Sequence, residues 1–192
     1  MNVKQPPILT TDKWNARPAK QPPIYTGRPK RIIFHHTAGH HPEIHNPRDE
    51  SVAEAIRYAQ DIQRFHMVNN GWNDSGHNFL VCRNGVILVG RHMSFPAIKG
   101  GRMVVSAHCP GQNTQPGIEH EHFHEKEMTP AQFFASAHLI AWIIDRCKMH
   151  GGDVIHPHKE FFATSCPAEL EAQLPALKTT VNQILRDSNP GI

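Results

Sequence analysis

The stretch between Thr129-Pro130 and Gly151-Gly152 restricts the fold more than any other. Threonine followed by proline is a helix N-cap followed by a residue already set for the first turn. The helix it opens is predicted to run to about His150 and to stop at the glycine pair. Its apolar residues surround it nearly completely, so it must be deeply buried rather than laid on a surface. Its longest apolar run, around residues 139–144, is far too short to span a membrane. Other secondary structure has to cover it.

The covering elements are legible. Residues 31–36 form a strand through the Ile-Ile-Phe run. Residues 50–68 form an amphipathic helix, with Val52, Ala55, Ile56, Ala59, Ile62 and Phe65 at helical spacing, ended by Asn69, Asn70 and Gly71. Residues 78–83 and 86–90 are two strands joined at Asn84-Gly85, a strong hairpin signal. A strand is expected at 117–122 and a short one at 153–155, and 168–186 reads as helical with Pro175 interrupting it. Residues 42–48 and most of 92–116 read as loop. Strands mixed with long helices predict an α/β domain with one central sheet and helices packed on it. At 192 residues the chain suits one domain, and no internal repeat is visible. The first 30 residues carry Pro6, Pro7, Pro18, Pro22, Pro23 and Pro29, and read as an extended arm laid over the domain by Trp14 and Ile24. Residues 188–192 are a tail.

A formal charge of +3 is too small to argue for nucleic acid, though it suits an anionic polymer. The four cysteines, Cys82, Cys109, Cys147 and Cys166, form no CxxC pair and are too few for a disulfide framework. Cys82 and Cys147 are expected to be buried thiols. The N-terminal residues lack the apolar core of an export signal. The unusual number is 16 histidines, scattered rather than in a terminal run. Histidine is the commonest metal ligand.

Two of them, His35 and His36, end the first strand. Successive strand side chains point to opposite faces, so the pair supplies one inward group, not two. Far along the chain, "VIHPHKEFFATSCPAEL" (154–170) brings a histidine just past a strand and then Cys166. Catalytic zinc sites use three nitrogen, sulfur or oxygen ligands and keep a fourth position for water. His35, His158 and Cys166 would make such a set, with His156 competing with His158.

Five segments, in order, resemble the zinc-dependent N-acetylmuramoyl-L-alanine amidases of the peptidoglycan recognition protein and phage lysozyme type, the type 2 amidases. They are "WNARP" (14–18), "IIFHHTAG" (32–39), "IQRFHMVNNGWNDSGHNFLVCRNGVILVGR" (62–91), "AHCPGQNTQPGIEHE" (107–121) and "HKEFFATSCP" (158–167). The resemblance implies a central mixed β-sheet flanked by α-helices, with residues 31–187 as the catalytic domain. It implies His35, His158 and Cys166 as ligands of one zinc ion, which decides against His156. It implies hydrolysis of the amide between N-acetylmuramic acid and L-alanine in peptidoglycan; a binding module of the same fold that does not cut is the alternative. Keeping Cys166 favours catalysis, because members lacking a ligand there only bind.

For the proton carrier the order of candidates is Glu119, then His77, then Thr164. Glu119 in "GIEHEH" matches a catalytic glutamate of bacterial and phage members. His77 stands where many members have tyrosine. Thr164 lies two residues before the thiolate, where relatives carry lysine or threonine. His108 and Asn113 are expected at the substrate. The "EHEHFHEKE" stretch (119–127) puts His120, His122 and His124 on one strand face; a second metal there is conceivable, but a solvated segment is the expectation. His40, His41 and His45 are expected in loops, and Arg48, Arg91 and Arg102 are open candidates for stem-peptide carboxylates. A monomer without nucleic-acid or membrane-inserted partners is expected; the missing export signal fits a phage endolysin, made in a host cytoplasm and acting on the wall after release, and it also fits a bacterial enzyme or an excised catalytic domain.

Overall fold

The structure is a computed structural model that describes residues 2–37, 51–123 and 127–188. The expected 42–48 loop, His40, His41, His45, Arg48, His124 and the last four residues lie outside the described residues.

In chain order the elements are β1 (Tyr25–Thr26), β2 (Ile32–His36), α1 (Val52–Arg64), β3 (Phe79–Val81), β4 (Ile87–Val89), α2 (Ser94–Lys99), β5 (Met103–Val104), β6 (Gly117–His120), α3 (Pro130–Cys147), β7 (Ile155–Pro157) and α4 (Leu174–Asp187). Five strands form the central sheet in the order β4-β3-β6-β2-β7. The four strands from β3 to β7 run parallel, and β4 returns antiparallel through the Asn84-Gly85 turn. The sheet is therefore mixed, with helices on both faces.

Parallel strands covered on both sides need continuous apolar runs. Ile32, Ile33 and Phe34 are all fully buried. Register sorts the faces: Phe34 lies beside Ile118, which lies beside Phe79, and these pack with α3 and α4. Leu80 and Leu88 point the other way, against Trp14 and against Ala55, Tyr58, Ala59 and Ile62 of α1. Each such large apolar side chain contributes about 1.5–3 kcal/mol by leaving water.

The helix α3 is buried around most of its circumference, as its composition requires. Thr129 accepts from the Gln132 N–H at 3.1 Å as N-cap. The helix ends at Cys147, short of the glycine pair, because Lys148 turns into the left-handed region at φ 54° and the Met149 N–H returns to the Ile144 carbonyl at 2.9 Å. Within the N-terminal arm, the stretch from Leu9 to Trp14 lies along the sheet edge at β4. Leu9 bridges to Leu88, and the fully buried Trp14 donates its indole N–H to the Val89 carbonyl at 2.9 Å.

Four expectations need correction. Ile24 does not anchor the arm; it is 68% exposed. Residues 92–116 hold α2 and β5, which pairs with β1, both too short to leave a periodic signal. Pro175 does not interrupt the last helix but sits in its first turn, after a tighter turn over Ala168–Gln173. The polar stretch from Glu119 to His122 is not solvated: all four residues are buried. Their polarity is met internally. His120 reaches the His35 carbonyl at 2.9 Å and Ser136 Oγ at 2.8 Å, and Glu121 Oε2 accepts the Arg83 N–H at 2.8 Å. Internal pairing removes the cost of burial that a hydropathy argument assumes.

Candidate metal centre

The parallel strands end together, and their carboxyl ends carry the chemistry. Ligands in open α/β sheets gather outside these ends. His35 is the fourth residue of β2, and His35 and Glu119 are register partners, so both side chains leave the sheet on the α1 face. His158 opens a tight turn directly after β7, the strand next to β2. Cys166 is brought back beside it by the Lys159 N–H on the Cys166 carbonyl at 2.9 Å. Thr164 Oγ1 accepts the Cys166 N–H at 3.2 Å and shapes the approach.

One ligand atom from each of His35, His158 and Cys166 lies within 4.8 Å of the other two. Cys166 Sγ is 3.8 Å from His35 Nδ1, and the His35 and His158 rings are 4.3 Å apart. For zinc bonds of about 2.3 Å to sulfur and about 2.0 Å to nitrogen, a tetrahedron spaces these atoms about 3.3–3.5 Å apart. His158 Nε2 is buried with no hydrogen-bond partner, which is costly unless something else binds it. Two imidazoles, one thiol and one orphaned nitrogen fit a divalent transition metal.

A hydrogen-bond chain sets which nitrogen of His35 faces the centre. The Gln115 carbonyl lies 3.0 Å from His108 Nε2, so that nitrogen carries the proton. His108 Nδ1 is then an acceptor, 2.9 Å from His35 Nε2. His35 therefore donates from Nε2 and turns the lone pair of Nδ1 toward Cys166. This is how a second layer orients a metal-binding imidazole. Gly117 makes room for it, because a Cβ there would lie 2.4 Å from the His108 ring.

Burial holds His35 well below the usual histidine range, aided by the neighbouring His77 and His108. Burial also lowers His158 and raises the Cys166 thiol to about 12. The imidazoles are thus neutral and ready to coordinate, while the thiol has to give up its proton to do so. The His36 N–H points at Cys166 Sγ at 3.4 Å and favours the thiolate. The His36 ring itself leaves on the other face, 5.2 Å from His122.

Beside this set lies a second buried group. His77 Nδ1 is 2.8 Å from Glu119 Oε2, and both side chains are more than nine-tenths buried. At that distance the two groups are in direct contact, close enough to act on one proton. Burial, with His158 and Arg91 nearby, lowers His77 to about 3. The His77 ring is 4.6 Å from that of His35, so the pair adjoins the candidate ligands. A third member, His66, has a ligand atom within 4.8 Å of those of His77 and Glu119. Sequence reasoning passed over His66. Its signal was its place on the α1 stripe, four residues beyond Ile62.

The remaining candidates lie as follows. His108 has both ring nitrogens engaged, as described. Asn113 turns its side-chain oxygen onto the Cys109 N–H at 2.9 Å, closing its own loop. His156 pairs with the Glu160 carboxylate at 3.0 Å and is not in the cluster. Arg91 donates from Nε to the Ser75 carbonyl at 2.9 Å, and the Arg102 guanidinium lies 5.3 Å from the centre of the Tyr25 ring. His120 is fully used by His35 and Ser136, so it does not join His122 in a metal site. Cys82, Cys109, Cys147 and Cys166 are all buried and unbridged.

Residues 25–169 match the family Amidase_2, described as N-acetylmuramoyl-L-alanine amidase. The chain belongs to this amidase family. Among its relatives, peptidoglycan-recognition protein SC2 of Drosophila melanogaster is 27% identical over 162 residues, covering 83% of this chain and 79% of that one. Among solved structures, wild-type PGRP-LB of Drosophila superposes with a TM-score of 0.72 at 26% identity, covering 88% of this amidase-family chain and 93% of the other. The endolysin amidase LysCS of Clostridium intestinale shares the fold at a TM-score of 0.69 and 23% identity, covering 94% and 99%. The mixed sheet with flanking helices is the architecture of these peptidoglycan-recognition and endolysin proteins. Among the described residues, no helix is long and apolar enough to cross a membrane.

Proposed function

We propose that this chain is a zinc-dependent amidase that hydrolyses the bond between N-acetylmuramic acid and L-alanine in bacterial peptidoglycan. The observation that carries the reading is Cys166, whose sulfur completes a three-ligand set with His35 and His158 at the mouth of the parallel strands. Cys166 beside His158 Nε2, a buried nitrogen with no hydrogen-bond partner, supports a metal-dependent reaction over wall binding alone.

His35 through Nδ1, His158 through Nε2 and Cys166 through Sγ would hold the metal. Zinc bound there supplies an acidified water and polarises the scissile carbonyl. The protein's own part is proton handling. Glu119 accepts the proton of the attacking water and delivers it to the departing alanine nitrogen, ending as it began. His77 lies against the carboxylate at 2.8 Å, where many relatives have tyrosine, and is a group that can itself orient water. Thr164 braces the turn that presents Cys166.

The test is mass spectrometry of purified peptidoglycan after incubation with the zinc-loaded protein. Free lactyl carboxylates on the glycan and new alanine amino termini on the stem peptide are expected. Tight wall binding with no cleavage would make the chain a recognition module instead. We further assign it to the endolysins, acting after release from a host cytoplasm; a fold shared with a clostridial endolysin amidase is in keeping with that. Lysis of intact host cells only when the inner membrane is breached checks that assignment.

A further inference from the structure

The geometry points to His66 as a positioning residue that fixes the Glu119–His77 pair through its Nε2–H; this rests on the amidase reading above. Four observations place it. First, α1 does not end in a regular turn. The Asn70 N–H reaches back five residues to the Phe65 carbonyl at 3.2 Å, a widened turn that carries His66. Such turns recur at functional sites. Second, the Gly76 N–H donates to His66 Nδ1 at 3.0 Å. Nδ1 accepts, so the ring proton sits on Nε2, and a ligand atom of this ring lies within 4.8 Å of those of His77 and Glu119. Third, the ring plane is held: Trp72 stacks on it at 4.7 Å and 23°, and the Trp72 N–H bonds to the His66 carbonyl at 3.0 Å. Fourth, the arrangement leaves no slack. A Cβ on Gly76 would lie 2.5 Å from the Trp72 ring and 3.3 Å from His66 Cε1.

His66, His77 and Glu119 come from the end of α1, the loop before β3 and the middle of β6. All three are buried. An imidazole pinned on one nitrogen and stacked on one face is a rigid neighbour that holds the adjacent carboxylate and imidazole in register. Because His66 is not beside the candidate ligands, its effect reaches the reaction only through Glu119 and His77.

Two substitutions separate this role from a purely structural one. In His66→Asn the amide oxygen can take the place of Nδ1 and still accept the Gly76 N–H, but nothing reaches the Nε2 position. In His66→Gln the longer amide can donate from near Nε2 while the Gly76 bond is lost. With the full-length zinc-loaded protein and soluble muropeptide, His66→Asn is expected to lower kcat about 10–100-fold at unchanged KM, the usual scale for an outer-layer residue. His66→Gln should keep most of kcat. The reverse ranking, or equal loss in both, would overturn the inference, since bracing Gly76 would then be all that His66 does. Zinc content should stay at one per chain in all three proteins. A second zinc in the wild type that disappears in His66→Asn would also overturn it, making the trio a metal site. An inert wild type would defeat the amidase reading instead. The imidazole nitrogen resonances of His77 then decide: a shift in His66→Asn but not in His66→Gln supports the positioning role, and no shift in either refutes it.

Discussion

Cys166 Sγ and His35 Nδ1 lie 3.8 Å apart although 131 residues separate them in the chain. The sheet order, with β2 between β6 and β7, brings them together, and His158 joins because β7 ends beside β2. Removing the sulfur should leave the sheet intact and empty the centre. Cys166→Ala is expected to hold far less than one zinc per chain, to keep its circular dichroism spectrum and to stop clearing walls. Full wall clearance by a folded Cys166→Ala protein would defeat the assignment.

Glu119 and His77 act as one unit if a proton is shared between them. Glu119→Gln and His77→Phe should each lower turnover, by about 10²–10⁴-fold for the loss of a general acid–base group. The double substitution should be little worse than Glu119→Gln alone, because effects within one unit do not add. Metal analysis should show zinc retained in all three. Strictly multiplicative losses would mean that the two residues act separately.

Gly117 lies under the His108 ring, and that ring sets the proton position on His35. Gly117→Ala should push the ring aside and destabilise the fold by about 1–3 kcal/mol, as overpacking does. It should also weaken zinc binding by about 10–100-fold, since the layer behind the ligands is disturbed. Competition with a chelator and denaturant titration measure the two effects. Wild-type metal affinity in this variant would mean that His108 does not orient His35.

His120 is buried between the His35 carbonyl and Ser136 Oγ, and burial lowers it to about 3. The unfolded chain binds a proton at this residue below about pH 6.5, whereas the folded chain does not until near pH 3. Stability from this group is therefore complete above pH 6.5 and is lost progressively as the pH falls toward 3. The loss should approach about 1.4 kcal/mol per pH unit in that window. Metal-free wild type and His120→Gln, compared by urea unfolding at pH 7 and pH 5, should differ in slope by about that amount. Equal slopes would show that His120 is not held neutral.

Local patterns carried the elements that speak for themselves. Thr129-Pro130 opened α3, Asn84-Gly85 joined β3 to β4, and the Ile-Ile-Phe run made β2, because caps, turn residues and periodicity report the backbone of their own segment. Ordered motifs likewise singled out His35, His158 and Cys166 as a possible set. What the chain alone left undetermined was who would pair with whom. The first residues of "EHEHFHEKE", Glu119 to His122, read as solvated until Arg83, Ser136 and the His35 carbonyl are known to meet them. His66 reads as one more residue on a helix until Gly76 and Trp72 close around it. Pro175 reads as an interruption until the preceding tight turn makes it a start. Those outcomes rest on hydrogen bonds and packing between residues tens of positions apart, and such partners exist only once the sheet has formed.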